Sequence, residues 1–452
     1  MMKFLFCIIL SVFFCCCKSL NDTHETFMEV SNPILPGYFA DPSIIELDGK
    51  YYIYATVDPW GEDFLSCWSS DDFINWTFHK LNWPTKTECT TPLSKENKVW
   101  APSVVKYNNN YYMYVSVGSE IWCGVAPHPL GPWKNALIDK PMISHDTSNY
   151  YHVIDAEVFI DTDNRCYLYW GSGWNWKNGH CFVAELNEDM SSFKGDKIEI
   201  TPKNYFEAPF MIKHNSKYFL TYSDGKTLDD TYKVRYAIGD SPFGPFEEME
   251  NSPILYTDTL KKVYGPGHHS IYTINNQSYI FYHKHRLPYI EGTAYRQLCM
   301  DTIKFADDSI CKVECSDKIN WLVKKNIEAQ LSNILLETSS EKDSYFTTAN
   351  MIDNSNQTMW GPDKDDISPW IKISLPDIID QFRINIWFEY PWKQYKFDCE
   401  ISVDGVNWNT YYKNEGKDIV GAPFSISITD KAKYIRFNLD NDINIWELKI
   451  YK

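Results

Sequence analysis

The sequence predicts an all-β protein: a five-bladed β-propeller followed by a β-sandwich. The first observation is a unit that the chain repeats, made of an apolar strand, a turn rich in Asn, Asp or Gly, and an aromatic strand. Such pairs of strands around such turns are typical of β-hairpins. The five copies cover residues 39–55, 100–116, 154–171, 206–223 and 267–283.

The second observation is the spacing of the copies. Counted from Asp41, the equivalent positions Ala101, Asp155, Ala208 and His268 follow at steps of 60, 54, 53 and 60 residues. A period of this size indicates a repeat architecture, and hairpin blades that close into a ring protect their strand edges. We therefore predict that each copy opens one propeller blade.

The third observation is a change of pattern towards the C-terminus. Short apolar strands at near-regular spacing there are typical of a β-sandwich, and they cover residues 370–375, 381–387, 398–403 and 434–439. The predicted domains are a signal peptide over 1–17, the propeller over 32–315, a connector with a helix-like pattern over 316–332 and the sandwich over 333–452.

The N-terminus has the features of a signal peptide. Lys3 precedes an apolar run over residues 4–14 that is too short to span a bilayer, and the run ends in Cys15-Cys16-Cys17. This ending resembles a bacterial lipoprotein signal, in which Cys17 would carry the lipid, with Cys15 and Cys16 as alternatives. We expect an exported lipoprotein of the bacterial outer membrane or cell surface, with the periplasm as the alternative. An ordinary secreted protein cut near Leu20 is the other interpretation.

The composition narrows the class of partner. Aromatic residues make up 16% of the chain, and they suit both a twisted β surface and stacking on sugar rings. The net charge of −17 argues against nucleic acid, because phosphate binding needs an excess of Lys and Arg.

The cysteines do not form a recognisable framework. Four of the 13 lie within the first 17 residues, which leaves nine, and an odd number cannot pair completely within one chain. Cys311 and Cys315 are close enough in sequence to pair. We expect most of the others to be buried free thiols.

The opening positions of the repeats carry the candidate chemistry. In a propeller the first strands surround a central channel, so residues that open different repeats meet on one face. Here those residues are Asp41, Trp100, Asp155, Glu207 and His268. Three carboxyl groups around one pocket repel each other, which makes a purely structural role costly. Glycoside hydrolysis needs such a set, with one carboxylic acid and one carboxylate on opposite sides of the scissile bond.

Three short motifs resemble those of glycoside hydrolase family 43. They are Phe39-Ala40-Asp41-Pro42-Ser43, Val153-Ile154-Asp155-Ala156-Glu157 and Phe206-Glu207-Ala208-Pro209-Phe210. The resemblance implies that Asp41 is the general base, Asp155 the residue that orients and raises the pKa of the acid, and Glu207 the general acid. It also implies inversion of the anomeric centre, for which the carboxyl groups stand about 6.5–9.5 Å apart. A fructan hydrolase is disfavoured, because that group has Asn-Asp-Pro-Asn-Gly in its first blade.

The same resemblance suggests further site residues. Trp100 matches an aromatic placed against the terminal sugar. Arg296 matches a basic residue that reaches the pocket, with an ion pair at the surface or between blades as the alternative. His268 matches a channel histidine that contacts substrate and in some members binds a structural calcium ion, although hard cations prefer oxygen. Trp174 is a candidate subsite wall, with packing at the rim as the alternative. No cofactor is expected to be required.

The C-terminal region resembles the discoidin, or coagulation factor 5/8 type C, sandwich. The resemblance is carried by residues 402–408, 434–437 and 446–451. It leaves two roles open for this domain. Either Trp360, Tyr390 and Trp392 bind terminal sugars, or the domain braces the propeller.

Together these features predict a monomeric, inverting exo-glycosidase that acts on plant-type oligosaccharide or polysaccharide side chains. Our specific expectation is an α-L-arabinofuranosidase. The alternatives within the family are a β-xylosidase, an exo-galactanase, a galactofuranosidase and an endo-arabinanase. Outside it, the alternative is a non-catalytic carbohydrate-binding lipoprotein, which would not need all of Asp41, Asp155 and Glu207.

Overall fold

The chain folds almost entirely into β-strands. The computed structural model describes residues 26–85, 87–92, 94, 98–146, 148, 150–323, 328–419 and 421–452. Within these ranges the single helix is a short 3-10 turn, Thr348–Ile352. None of the helical segments in the described ranges is long and apolar enough to cross a bilayer. The all-β prediction is confirmed, whereas the signal peptide and Cys17 lie outside the described residues.

Five antiparallel sheets in chain order form the blades of the propeller. After β1 (Thr26–Ser31), the first blade contains β2 (Phe39–Leu47), β3 (Lys50–Val57), β4 (Ser66–Ser70) and β5 (Thr77–Lys80). The second contains β6 (Val99–Tyr107), β7 (Asn110–Val117), β8 (Ile121–Ala126) and β9 (Lys134–Asn135). The third contains β10 (Glu157–Ile160), β11 (Cys166–Trp170), β12 (Phe182–Leu186) and β13 (Ile198–Glu199). The fourth contains β14 (Glu207–His214), β15 (Lys217–Asp224), β16 (Lys233–Gly239) and β17 (Glu247–Glu248). The fifth has three strands, β18 (Gly267–Ile274), β19 (Gln277–His285) and β20 (Arg296–Thr302).

The turns of the repeated hairpins explain why the repeats fold in this register. Asp48, Asn108, Asn164 and Asn215 lie between the first two strands of their blades with φ of 52°, 53°, 64° and 55°. Asn and Asp tolerate this left-handed conformation better than other residues with a side chain, and tight hairpin turns require it. The turn residues that the sequence pattern singles out therefore fix the start of each second strand.

The N-terminal segment closes the ring of blades. Asn32 Nδ2 donates to the carbonyl of Met300 at 2.7 Å, and the Met300 N–H donates to Asn32 Oδ1 at 2.9 Å. After two short strands, β21 (Phe305–Ala306) and β22 (Ser309–Ile310), the strand β23 (Lys318–Val323) pairs antiparallel with β1. The helix-like prediction for the connector is therefore wrong over β23. Its buried residues Ile319 and Trp321 are two apart, which is the period of a strand.

The C-terminal domain is the predicted sandwich. Its larger sheet has the order β24 (Leu335–Thr338), β25 (Trp370–Ile379), β30 (Ala432–Leu439), β27 (Gln394–Ser402) and β28 (Asn409–Asp418). The smaller sheet has the order β29 (Phe424–Ile428), β26 (Phe382–Phe388) and β31 (Ile445–Tyr451). An aliphatic and aromatic core that includes Ile373, Ile384, Phe397 and Ile435 fills the space between them.

The sandwich packs directly on the propeller. Trp392 contacts Phe39 and Phe78 of the first blade, with ring centroids 6.1 and 6.0 Å apart. The ring centroids of Tyr390 and Tyr38 are 6.0 Å apart. Trp360 is fully buried in the sandwich core. These three aromatics do not form an exposed sugar site, so the bracing interpretation describes them.

No disulfide joins the cysteines of the described residues. Eight of the nine are buried, as expected for small apolar side chains, and Cys311 is exposed. The pairing of Cys311 with Cys315 is therefore wrong.

Candidate active site

All seven predicted site residues line one cavity of about 320 Å³ where the blades meet. They are Asp41, Trp100, Asp155, Trp174, Glu207, His268 and Arg296. The prediction that residues far apart in sequence converge at the repeat openings agrees with this geometry.

The same backbone feature presents these residues in every blade. The five equivalent positions of the repeat all have left-handed φ: Asp41 54°, Ala101 48°, Asp155 58°, Ala208 56° and His268 40°. In four of the blades the strand register also shifts at this point, which marks a β-bulge. Bulges redirect side chains and are common beside active sites, and left-handed residues other than Gly persist only where the surrounding structure holds them.

Hydrogen bonds between neighbouring blades hold this strained backbone. At four of the five junctions between blades, a side chain on the second strand of one blade accepts from the N–H of the left-handed residue in the next blade. Thr56 accepts from Ala101 at 2.8 Å, Ser116 from Asp155 at 3.0 Å, and Ser223 from His268 at 2.9 Å. His283 closes the ring, with Nδ1 3.4 Å from the Asp41 nitrogen. In the third blade the equivalent residue is Gly171, and the N–H of Ala208 donates to the Asp155 carboxyl group instead.

Asp41 lies in a cationic environment. Its Oδ1 is 3.1 Å from Arg296 Nη1 and 3.2 Å from Nδ1 of both His268 and His283. Its Oδ2 accepts a hydrogen bond from Thr56 Oγ1 at 2.7 Å. Burial alone would raise the pKa of Asp41, but the guanidinium and the two imidazoles outweigh it and hold the pKa well below its usual range. Asp41 is therefore ionised at neutral pH.

Arg296 binds two carboxylates, Asp58 and Asp41. Its Nε and Nη2 each donate to a different oxygen of Asp58 at 2.8 Å, and Nη1 lies beside Asp41 and Thr227. Burial raises the pKa of Asp58, but the two-point contact with a guanidinium keeps the pair ionised. With only 5% of its surface exposed, Arg296 lines the pocket and has little free hydrogen-bonding capacity for a substrate.

Asp155 and Glu207 have the opposite environment. Burial, followed by the charge of Asp41, raises the pKa of Glu207 to about 7, although hydrogen bonds from Tyr232 and Ser172 lower it. Tyr232 OH donates to Oε1 at 2.7 Å and Ser172 Oγ to Oε2 at 3.1 Å. Burial, Glu207 and Asp41 also raise the pKa of Asp155. The pocket thus combines one fixed carboxylate with two carboxyl groups that retain protons, which is the separation that acid and base catalysis needs.

The aromatic residues form two walls of the cavity. On one side Trp100 Nε1 donates to the carbonyl of Trp60 at 3.0 Å, and their rings are 6.4 Å apart. On the other side Trp174 contacts His152, with ring centroids 3.5 Å apart. Trp60 and Trp174 are 39% and 37% exposed, so their rings are available to a ligand.

The residues near His268 do not suit the predicted calcium ion. Its Nδ1 faces Asp41, whose charge Arg296 already compensates. Hard cations need several oxygen ligands, and the described residues contain no group of three or more His, Cys, Asp or Glu placed to hold a metal. We therefore assign no step to a metal ion.

Sequence reasoning missed the residues that support the carboxyl groups: Thr56, Asp58, Ser172, Tyr232 and His283. Thr56 and His283 lie near the end of the second strand of their blades. Ser116 and Ser223 occupy the equivalent place in two other blades. A polar residue at the end of an aromatic strand was the available signal. Tyr232 and Ser172 lie outside the repeat pattern and had no such signal.

Comparison with known proteins places the chain in a family. Residues 30–310 match glycosyl hydrolases family 43, and residues 336–448 match the F5/8 type C domain. The β-D-galactofuranosidase xynD of Aspergillus niger is 36% identical over 307 residues, which cover 64% of this chain and 86% of that protein. An arabinoxylan arabinofuranohydrolase of Paenibacillus polymyxa is 25% identical over 385 residues, 74% of this chain and 58% of that protein.

Solved structures agree with this assignment. The structure of a glycoside hydrolase superposes with a TM-score of 0.78 at 27% identity, covering 93% of this chain and 99% of that chain. Its coverage includes both domains. The chain therefore belongs to glycosyl hydrolases family 43, a family of inverting glycosidases, and carries an F5/8 type C domain after its propeller.

Proposed function

We propose that this glycosidase is an exo-acting α-L-arabinofuranosidase that removes terminal furanosyl residues from plant-type polysaccharide side chains. The observation that carries the proposal is the small cavity of about 320 Å³ with the three carboxyl groups and two aromatic walls. This volume is at the lower end of the ~300–1,000 Å³ typical of small-molecule sites, which suits one terminal sugar. The similarity to an arabinofuranohydrolase supports the choice of sugar.

In this proposal the roles follow from the charge states. Asp41, ionised beside Arg296, accepts a proton from the water that attacks the anomeric carbon. Glu207, protonated because it is buried near other carboxyl groups, donates its proton to the departing glycosidic oxygen. Asp155, whose carboxyl group is buried and interacts electrostatically with Glu207, is the residue that orients the acid and keeps it protonated. One displacement with water on the face opposite the leaving group inverts the anomeric centre.

A second candidate sugar is favoured by a specific observation. The relative with 36% identity is a β-D-galactofuranosidase. β-D-galactofuranose has the ring configuration of α-L-arabinofuranose and differs by one additional exocyclic hydroxymethyl group. A pocket for one ring therefore suits the other wherever it has room for that group.

A panel of 4-nitrophenyl glycosides tests both candidates. It contains the α-L-arabinofuranoside, β-D-galactofuranoside, β-D-xylopyranoside and β-D-galactopyranoside, each with wild type and Asp41→Asn. Cleavage of the arabinofuranoside by wild type but not by Asp41→Asn supports the arabinofuranosidase proposal. A preference of wild type for the galactofuranoside supports the galactofuranosidase instead. Preference for a pyranoside contradicts both. NMR of the sugar as it is released reports the inversion.

We also propose that the mature protein is a monomer anchored through Cys17, at the outer membrane or cell surface. The short apolar run and the cysteines that end it support the anchor. Incorporation of a radiolabelled fatty acid that is lost in Cys17→Ser tests it, with Cys15→Ser and Cys16→Ser as controls. Label retained in Cys17→Ser would move the anchor to a neighbouring cysteine.

A further inference from the structure

We propose that the F5/8 type C domain positions the catalytic base. Its loop over residues 353–358 holds the two strands of the fifth blade that place His283 and Arg296 around Asp41. This inference rests on the proposed role of Asp41 as the base, and it does not depend on which sugar is cleaved.

The first argument is the alternation of side chains on β19 and β20. Lys284 is directly opposite Gln297 in the register of these strands, and His285 is opposite Arg296. Because successive residues of a strand face opposite sides of a sheet, Lys284 and Gln297 share one face while His283 and Arg296 lie on the other. One face of this strand pair supplies Arg296 and His283 to Asp41, and the other is free to bind a second element.

The second argument is what that other face contacts. Lys284 Nζ donates to Gln357 Oε1 at 2.9 Å, and Gln297 Nε2 donates to the carbonyl of Asn356 at 2.8 Å. Only 3% of Lys284 and none of Gln297 is exposed. A buried ammonium group needs a partner, so the loop is a requirement of this strand pair and more than a neighbour to it.

The third argument is that the domain also holds the segment that leads into Asp41. Tyr38 OH lies 3.2 Å from Glu389 Oε1, and the ring of Phe39 packs against Trp392. Asn356 Nδ2 donates to the carbonyl of Pro33 at 3.0 Å. From outside the pocket, the domain thus contacts the strand that carries Asp41 and also the strands that carry His283 and Arg296.

The consequence concerns geometry as well as stability. If the loop lets β19 and β20 shift, Arg296 and His283 move away from Asp41 while the fold persists. Misplacement of catalytic groups by about 1 Å can cost on the order of 100-fold in rate. Loss of the contacts from Arg296 and His283 would also bring the pKa of Asp41 up towards its usual range. Activity would then fall on acidification at a higher pH than in wild type.

The test uses the full-length protein and the variants Lys284→Met and Gln357→Leu. Lys284→Met removes a buried charge while filling its volume, so the variant should fold at least as well as wild type. We expect kcat to fall between about 10- and 100-fold in each variant, with KM nearly unchanged. The acidic limb of the pH profile of kcat/KM should move to higher pH. The double variant should lose no more than either single variant, because the two residues act as one contact.

Three further variants make the outcome decisive. Gln357→Glu keeps an acceptor for Lys284 and should restore kcat and the pH profile. Ser31→Ala removes a hydrogen bond to the same loop, from Ser31 Oγ to the carbonyl of Asn354, but it lies on β1 and should change neither. Wild-type kcat and pH profile in Lys284→Met and Gln357→Leu, beside an inactive Asp41→Asn, would overturn this inference alone. Full activity in Asp41→Asn would overturn the base assignment and this inference with it.

Discussion

The hydroxyl of Tyr232 is predicted to set the upper end of the pH range of activity. It donates to Glu207 Oε1 at 2.7 Å, and both side chains are buried. A donor to a carboxyl group stabilises its ionised form, so Tyr232 lowers the pKa of Glu207. The substitution Tyr232→Phe removes this hydrogen bond and keeps the ring, which stacks on His283 at 5.6 Å. The pKa of Glu207 should therefore rise in the variant.

The size of the shift follows from the strength of the bond. Hydrogen bonds to charged groups contribute roughly 1.5–3 kcal/mol, and one pKa unit corresponds to about 1.36 kcal/mol. The expected rise is thus roughly one to two units. Because Glu207 must be protonated to act as the acid, the basic limb of kcat/KM should move up by the same amount. Tyr232 does not contact Asp41, so the acidic side of the profile should not change.

The assay is initial-rate kinetics of wild type and Tyr232→Phe from pH 4 to pH 10 on the best substrate of the panel. Tyr169→Phe is the matched control, since it removes another buried tyrosine hydroxyl, 2.8 Å from the carbonyl of Pro242 and away from the carboxyl groups. A basic limb that stays in place or moves down in Tyr232→Phe would refute the reasoning, as would an equal shift in the control.

Three further predictions concern the proposed acid Glu207, the hydrogen bonds between neighbouring blades, and the buried carboxyl group of Glu157. Glu207→Gln should lose about 100- to 10,000-fold in kcat/KM on a natural oligosaccharide but much less on a 4-nitrophenyl glycoside, whose leaving group needs little acid; equal losses on both substrates would contradict its role as acid. Ser116→Ala leaves the buried N–H of Asp155 without its acceptor and should lower the free energy of unfolding by about 1–3 kcal/mol; an unchanged urea midpoint would contradict the view that these hydrogen bonds between blades hold the left-handed backbone. Burial raises the pKa of Glu157 from 4.5 to about 8, so its carboxyl group destabilises the fold increasingly as the pH rises from 4.5 towards 8. Glu157→Gln should therefore raise Tm at pH 8.5 and leave it nearly unchanged at pH 4, and a Tm gain independent of pH would show that ionisation of Glu157 is not the cause.

The sequence carried the propeller and the catalytic set because both depend on the repeat. Five copies of one hairpin specify five equivalent left-handed positions, and the spacing alone identifies Asp41, Asp155 and His268 as equivalent. The supporting residues had to be read from the structure for different reasons. Tyr232 precedes β16 outside the repeated hairpin, and its contact with Glu207 depends on how the fourth blade folds back. The role of Trp392 depends on where a second domain docks, which no local pattern encodes.

The repeated motif presents Asp41 and Glu207 differently, because the carboxyl group occupies a different position relative to the left-handed residue in the two blades. In the first blade the left-handed residue itself is Asp41, whereas in the fourth blade it is Ala208 and the carboxyl group belongs to the preceding residue, Glu207. Successive side chains of a strand point in different directions, so this offset of one residue changes the neighbours of the carboxyl group. Asp41 is bonded to Arg296 and contacts two imidazoles, whereas the hydrogen bonds to Glu207 come from the hydroxyl groups of Tyr232 and Ser172. Cations stabilise a carboxylate far more than hydroxyl groups do, and so this offset within one repeated motif distinguishes the proposed base, Asp41, from the proposed acid, Glu207.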